Sequence, residues 1–153
     1  MCRKVAFAAV YVAVFLLTAA STQAAQYGTA EEAKALLDRA IAAVKEDKVK
    51  ALDTFNKGEG GFRDRDLYVF CWNASDGTIT AHPEMAKYKG ELLQDLKGKK
   101  GFPVGQEMMR EATEGKISQV TYWWPRPGSE ESLEKVTYFT KVEDQICAVG
   151  YYK

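Results

Sequence analysis

The order of the helical and strand-like segments constrains the fold of this chain more than any other feature of its sequence. A long amphipathic pattern covers residues 30–56, and most of the later patterned segments predict β-strands. Strands that are grouped after a helix, rather than alternating with helices, are typical of α+β domains with an antiparallel sheet. The sequence therefore predicts an α+β domain whose N-terminal helix packs on such a sheet.

The long helix has clear start and stop signals. Thr29 is a good N-cap, and Glu32 three residues later completes a capping box. Apolar residues then recur at helical spacing, and the charged run at residues 46–48 interrupts them. Gly58 follows the last turn and favours helix termination. We predict one long helix with a break near the charged run.

Five later segments predict strands: 66–73, 78–82, 118–124, 135–142 and 145–152. The first two are joined into a hairpin by the turn at Asp76-Gly77. Residues 84–117 form a long excursion with one short predicted helix near 106–113. Excursions of this length within a compact domain are often functional.

The N-terminal segment has the features of a secretory signal. Arg3 and Lys4 precede an uncharged apolar run at residues 5–20, and small residues lead to a cleavage point after Ala24. We interpret residues 1–24 as a signal peptide and residues 25–153 as a single domain that is periplasmic or secreted. An uncleaved N-terminal anchor is the alternative. No later segment is long and apolar enough to predict a membrane span.

Composition and motifs exclude several classes of function. The 153 residues contain 21 basic and 21 acidic side chains, and this balance argues against a protein that neutralises nucleic-acid phosphates. The chain has a single histidine and no cysteine pair with zinc spacing, so we predict no metal site. It has no glycine-rich phosphate loop and no nucleophile elbow. We therefore predict that the protein is not an enzyme and uses no cofactor.

A set of aromatic and polar residues lies near the ends of the predicted strands around the excursion: His82, Tyr122, Trp124, Lys135 and Tyr138. Rings give a small pocket its shape, and an ammonium group with phenol hydroxyls suits a carboxylate ligand. The alternative is ordinary packing, since aromatic residues in strands are mostly core residues. Lys135 and Tyr138 are three residues apart, so a bulge is needed if both are to face one pocket.

Several motifs occur in one order along the chain: Asp76-Gly77-Thr78, Ala81-His82-Pro83, Tyr122-Trp123-Trp124-Pro125, Pro127 and Val149-Gly150-Tyr151-Tyr152. In this order they resemble the single Cache domain family. The resemblance implies a PAS-like fold, in which a long N-terminal helix packs behind a five-stranded antiparallel sheet. The implied strand order is second, first, fifth, fourth, third (2-1-5-4-3).

Cache domains are extracytoplasmic sensor modules of chemoreceptors, histidine kinases and cyclases, so the resemblance also implies a function. They bind small molecules, often short organic acids or amino acids, between the sheet and the excursion. By position, the implied pocket residues are the five named above, with Lys135 pairing with a ligand carboxylate. We expect a soluble periplasmic module that senses or binds a small molecule and acts through a membrane receptor, kinase or transporter. The alternative is a structural or interaction protein on the same fold with no working ligand pocket.

Two cysteines lie in neighbouring strands of the implied sheet. Cys71 is late in the first strand and Cys147 is early in the fifth, so antiparallel pairing brings them near each other. A disulfide requires Cα atoms within about 7 Å and side chains on one face, and sequence does not fix the register. A disulfide and two buried free thiols therefore both remain open, and neither predicts catalysis.

Overall fold

The computed structural model of the chain describes residues 26–88 and 90–153. Its helices are α1 (Ala30–Glu46), α2 (Lys48–Lys57), α3 (Met85–Tyr88) and α4 (Val104–Glu111), with 3-10 turns at Leu93–Asp95 and Lys99–Gly101. Its strands are β1 (Arg63–Asp64), β2 (Leu67–Asn73), β3 (Ile79–Ala81), β4 (Ser118–Pro125), β5 (Ser132–Val142) and β6 (Gln145–Tyr152). The signal peptide predicted at residues 1–24 lies outside the described residues. Within those residues, no helix has the length and apolar character that a membrane crossing requires.

The strands form one antiparallel sheet in the order β1-β2-β6-β5-β4, and β3 also pairs with β2. Apart from the two-residue β1, this is the predicted order of five strands, so the α+β fold and its topology are confirmed. The predicted hairpin is present, since Cys71 pairs with Ala81 and Trp72 with Ile79. The fourth predicted strand is longer than expected, because β5 starts at Ser132 to match the full length of β4.

The start of the long helix is confirmed, and so is its break near the charged run. The Thr29 hydroxyl accepts from the Glu32 N–H at 3.2 Å, and the Glu32 carboxylate accepts from the Thr29 N–H at 2.8 Å. The break divides the predicted helix into two, because Asp47 has extended backbone angles and caps both pieces. Its carboxylate accepts from the Lys50 N–H at 3.1 Å, which starts α2.

The sheet separates two apolar clusters, because side chains alternate between its faces. Leu67, Val69 and Cys71 of β2 pack under α1 and α2, in what we term the helix-side core. Tyr68, Phe70 and Trp72 of the same strand pack under the excursion, in the excursion-side core. The excursion is closely fitted: a Cβ atom at Gly105 of α4 would lie 1.4 Å from the Leu93 carbonyl oxygen.

Cys71 and Cys147 form a disulfide in the middle of the sheet. The two residues are directly opposite each other in the β2–β6 register, with Cα atoms 4.2 Å apart. Both are fully buried in the helix-side core. The alternative of two free thiols is wrong, because the register places both side chains on one face at bonding distance.

Candidate functional site

Two small cavities lie side by side between the sheet and the excursion. The inner cavity has a free volume of about 20 Å³ and is lined by Lys135, aromatic side chains of the sheet and Tyr88. This is room for about one water molecule. The second cavity, which we term the mouth cavity, has a free volume of about 50 Å³. It is lined in addition by the charged residues Arg63, Glu84, Lys87 and Arg126 and by the loop that follows β4. Tyr68, His82, Tyr88 and Trp124 line both cavities, so the two form one cleft.

Lys135 is the most unusual residue of the cleft, since its side chain is only 1% exposed. Its Nζ donates to the Tyr68 hydroxyl at 2.9 Å and lies 4.7, 5.4 and 5.2 Å from the ring centroids of Tyr68, Phe70 and Tyr152. Such contacts favour the charged ammonium. Burial outweighs them and lowers the pKa of Lys135 from 10.5 to about 7, although Asp66 acts in the opposite direction.

No carboxylate among the described residues forms an ion pair with Lys135. An ammonium group has three N–H donors, and one of them is used by Tyr68. Buried lysines are rare unless they are paired. The cleft therefore holds a buried basic group that lacks an anionic partner within the described chain.

The position of Lys135 depends on a glycine in the neighbouring strand. A Cβ atom at Gly150 would lie 2.3 Å from Lys135 Cε and 2.6 Å from the Thr137 hydroxyl. Gly150 therefore leaves the space that the lysine stem fills as it crosses β6. Gly150 belongs to the Val-Gly-Tyr-Tyr motif, but the sequence did not reveal this role.

His82 is buried beside the lysine and is neutral at ordinary pH. Burial lowers its pKa from 6.5 to about 3, and the positive charge of Lys135 contributes in the same direction. Nδ1 accepts from the Glu84 backbone N–H at 3.0 Å, so the ring proton lies on Nε2. The backbone N–H of His82 donates to the Asn56 side chain at 2.9 Å, which fixes the residue at the end of β3.

Tyr122 and Trp124 project from the end of β4 on the same face as Lys135. The Tyr122 hydroxyl shares a hydrogen bond of 3.0 Å with Thr137, so its main contribution to the cleft is shape. The indole of Trp124 packs edge-on against Tyr122 with ring centroids 5.9 Å apart. Trp124 is half-buried and lines both cavities.

Tyr138 does not line the cleft, and its prediction as a pocket residue is wrong. Its ring lies in the helix-side core, stacked on Tyr151 at 5.9 Å and covered by Lys34, whose Nζ is 4.9 Å from the ring centroid. The register between β5 and β6 runs without a bulge through this region, so Lys135 and Tyr138 face opposite sides.

Sequence reasoning missed the aromatic residues around the lysine and one arginine at the mouth. Arg126 donates from Nε to Asp66 at 3.0 Å, and Asp66 also accepts from the Gly28 N–H at 2.8 Å. The guanidinium carbon lies 3.7 Å from the ring centroid of Tyr27 and 4.9 Å from that of Tyr152. The position of Arg126 between Pro125 and Pro127, directly after the predicted strand, was the sequence signal that could have identified it.

Within residues 26–88 and 90–153, no three His, Cys, Asp or Glu side chains are grouped to hold a metal ion.

Comparison with known proteins gives one family match. A family model described as a Cache domain matches residues 33–152. No curated protein matches the chain.

Solved structures of chemotaxis proteins have a similar fold. One is a methyl-accepting chemotaxis protein from Vibrio parahaemolyticus, with a TM-score of 0.64 and 22% identity over 80% of this chain and 86% of that chain. A second is described as a periplasmic sensor domain of a chemotaxis protein, with a TM-score of 0.60 and 21% identity over 80% and 88% of the two chains. A third is a Cache chemosensory domain whose description concerns carboxylic acid recognition, with a TM-score of 0.58 and 21% identity over 80% and 86%.

Proposed function

Since the chain belongs to the Cache domain family, we propose that it is a periplasmic sensor module that binds a small carboxylate in the cleft between its sheet and its excursion. One observation carries the proposal: Lys135 is buried in an aromatic cage without an ion-pair partner among the described residues. One similar structure, whose description concerns carboxylic acid recognition by a Cache chemosensory domain, supports the same ligand class.

The donors around the inner cavity suit one carboxylate group. The Lys135 ammonium supplies charge and two N–H groups beyond its bond to Tyr68. The Nε2–H of His82 is a further neutral donor, because Nδ1 is already an acceptor. Charge-assisted hydrogen bonds of this kind are stronger than neutral ones. The rings of Tyr68, Phe70 and Trp124 exclude water from the bound group.

The proposal includes a partner, because a binding module of this type signals through a protein that recognises its ligand-bound form. We propose a membrane receptor, a kinase or a transporter in this role. Co-purification from a secreting host, with and without an identified ligand, is the direct measurement.

A screen of small acids tests the function. The full chain is expressed in a secreting host, and the purified protein is tested by thermal shift and calorimetry against short organic acids and amino acids. At least one carboxylate should raise the melting temperature, while its neutral amide, such as acetamide for acetate, should not. If no carboxylate binds, the proposal fails and the alternative of an interaction protein without a working pocket gains support.

Carboxylate affinity should fall as the pH rises above about 7. The ligand-free Lys135 has a pKa of about 7, so above this pH the site must take up a proton to form the ion pair. The dissociation constant should rise by about twofold between pH 6 and 7 and then by up to about tenfold per pH unit. Calorimetry in buffers of different ionisation enthalpy measures the proton uptake directly.

The matched control is Lys135→Arg, because a guanidinium stays charged over this range. Its affinity, whatever its value at neutral pH, should not depend on pH. An equally flat profile for the unmodified protein would show that Lys135 does not gain a proton on binding.

A further inference from the structure

The inner cavity is too small to hold a whole ligand. Its free volume of about 20 Å³ is room for about one water molecule, which is also the scale of a single carboxylate head. The mouth cavity of about 50 Å³ continues from it past His82, Tyr88 and Trp124. A ligand whose first carboxylate contacts Lys135 can place its remaining atoms in the mouth cavity, which shares four lining side chains with the inner one.

The mouth cavity has a surplus of positive charge. It is lined by Arg63, Lys87 and Arg126, and Glu84 is the one acidic residue among its lining side chains in the described chain. Glu84 lies 3.9 Å from Lys87, and Asp66 below the mouth is paired with Arg126. With Lys135 protonated, as in the ligand-bound form, and His82 neutral, four cations stand against the carboxylates of Glu84 and Asp66. This difference is the charge of a dianion.

Arg126 is held ready for an anionic group. Its Nε is used by Asp66, and no hydrogen bond from its terminal amino groups is seen within the described residues. Its guanidinium also contacts the rings of Tyr27 and Tyr152, which restricts its movement. A planar fork of this kind matches a carboxylate. Arg126 lines the mouth cavity and Lys135 lines the inner cavity, and the two cavities share four lining side chains.

We infer that the cleft binds a short-chain dicarboxylate, with one carboxylate on Lys135 and the other among Arg126, Arg63 and Lys87. The inference rests on the proposed function and specifies its ligand class. Amino acids fit less well, because their ammonium group would add a positive charge to a cleft that already has a surplus. Simple monocarboxylates would leave the mouth cations without a partner.

The test compares succinate with butyrate, which have the same chain length and differ in the second carboxylate. Calorimetry on the full chain should show succinate binding about tenfold or more tightly than butyrate. The double variant Arg63→Gln/Lys87→Gln should lower this ratio several-fold, and Arg126 remains as a partner of the second carboxylate. Both side chains are exposed, so the variant should fold normally. Lys45→Gln/Lys50→Gln removes the same charge from the exposed helices and should change neither the ratio nor the affinities.

The outcomes separate the inference from the function on which it rests. If butyrate or another monocarboxylate binds as tightly as succinate, the inference is overturned and the proposed function stands. The inference is also overturned if the succinate advantage is unchanged in Arg63→Gln/Lys87→Gln. If neither class of acid binds, both the inference and the proposed function are rejected.

Discussion

Replacing Lys135 with methionine is expected to remove carboxylate binding and, at the same time, to stabilise the ligand-free protein. Methionine has a similar length and no charge. Loss of the cation from a buried charge pair costs about 2–5 kcal/mol of binding free energy, which corresponds to affinity weaker by about 30-fold to several thousand-fold. The ligand-free protein is relieved of a buried ammonium that lacks an ion-pair partner in the described chain. Replacement of buried ionic groups by hydrophobic residues of similar volume is often neutral or stabilising, by about 1–4 kcal/mol for ion pairs, and the unpaired Lys135 is expected to lie on the stabilising side.

The stability gained by Lys135→Met should decrease as the pH rises. The folded-state pKa of Lys135 is lowered from 10.5 to about 7, so the unfolded chain binds the proton more tightly than the folded one. The cost of folding with this lysine is therefore full below about pH 7 and disappears as the pH rises towards 10.5. The free energy of unfolding of Lys135→Met should exceed that of the unmodified protein most clearly at about pH 6 and least at about pH 10.

Chemical denaturation and calorimetry on the same samples provide both measurements. Lys141→Met is the matched control, because Lys141 lies in the same strand, faces the same side and does not line the cleft. It should retain carboxylate affinity. If Lys135→Met keeps its affinity but loses stability, Lys135 is a structural residue and its assignment to the ligand is wrong.

Removing the disulfide should lower the free energy of unfolding by several kcal/mol without changing carboxylate affinity. The bond joins residues that are 76 positions apart and directly opposite in the two central strands. Closing a loop of this length restricts the unfolded chain strongly, and loss of such a bond typically costs about 2–5 kcal/mol. The double variant Cys71→Ala/Cys147→Ala should therefore unfold at much lower denaturant concentration. Because both sulfurs lie in the helix-side core, its carboxylate affinity under folding conditions should change little.

Two further measurements isolate the effect of the bond itself. The unmodified protein under reducing conditions retains both sulfur atoms, so it separates loss of the bond from the small cavities that alanine leaves. Its stability should lie between those of the oxidised protein and the double variant. Titration of thiols in the unfolded, unreduced protein should find neither Cys71 nor Cys147 free; two free thiols at these positions would contradict the structure.

Local signals in the sequence were sufficient for most of the fold. Thr29 and Glu32 cap α1 as their spacing predicts, since a capping box depends only on neighbours along the chain. Gly58 ends α2 with a left-handed backbone for the same kind of local reason. The two-residue β1 was not predicted, because pairing of Arg63 with Tyr68 depends on where the loop after α2 crosses the sheet.

The cleft was predictable only in part, because its geometry depends on strand register. His82, Tyr122, Trp124 and Lys135 are brought together as expected from their positions at strand ends. Tyr138 is on the other face, as its odd spacing from Lys135 had already indicated.

The aromatic cage was missed for a different reason. Residues 67–72 are apolar on both faces, so the sequence of β2 does not show which rings face the excursion. The contact of Tyr152 with Lys135 is set by cross-strand register, which the local pattern does not contain.

The division of the apolar interior by the sheet has a consequence for how this protein can change over evolution. The disulfide, α1 and α2 pack against one face of the sheet, and the cleft around Lys135 lies on the other. Substitutions at Trp124, Tyr88 or Arg126 alter the chemistry of the cleft while the packing beneath the helices remains intact. The chemistry of the cleft can therefore change while the disulfide and the helix packing, which stabilise the fold from the opposite face of the sheet, are conserved.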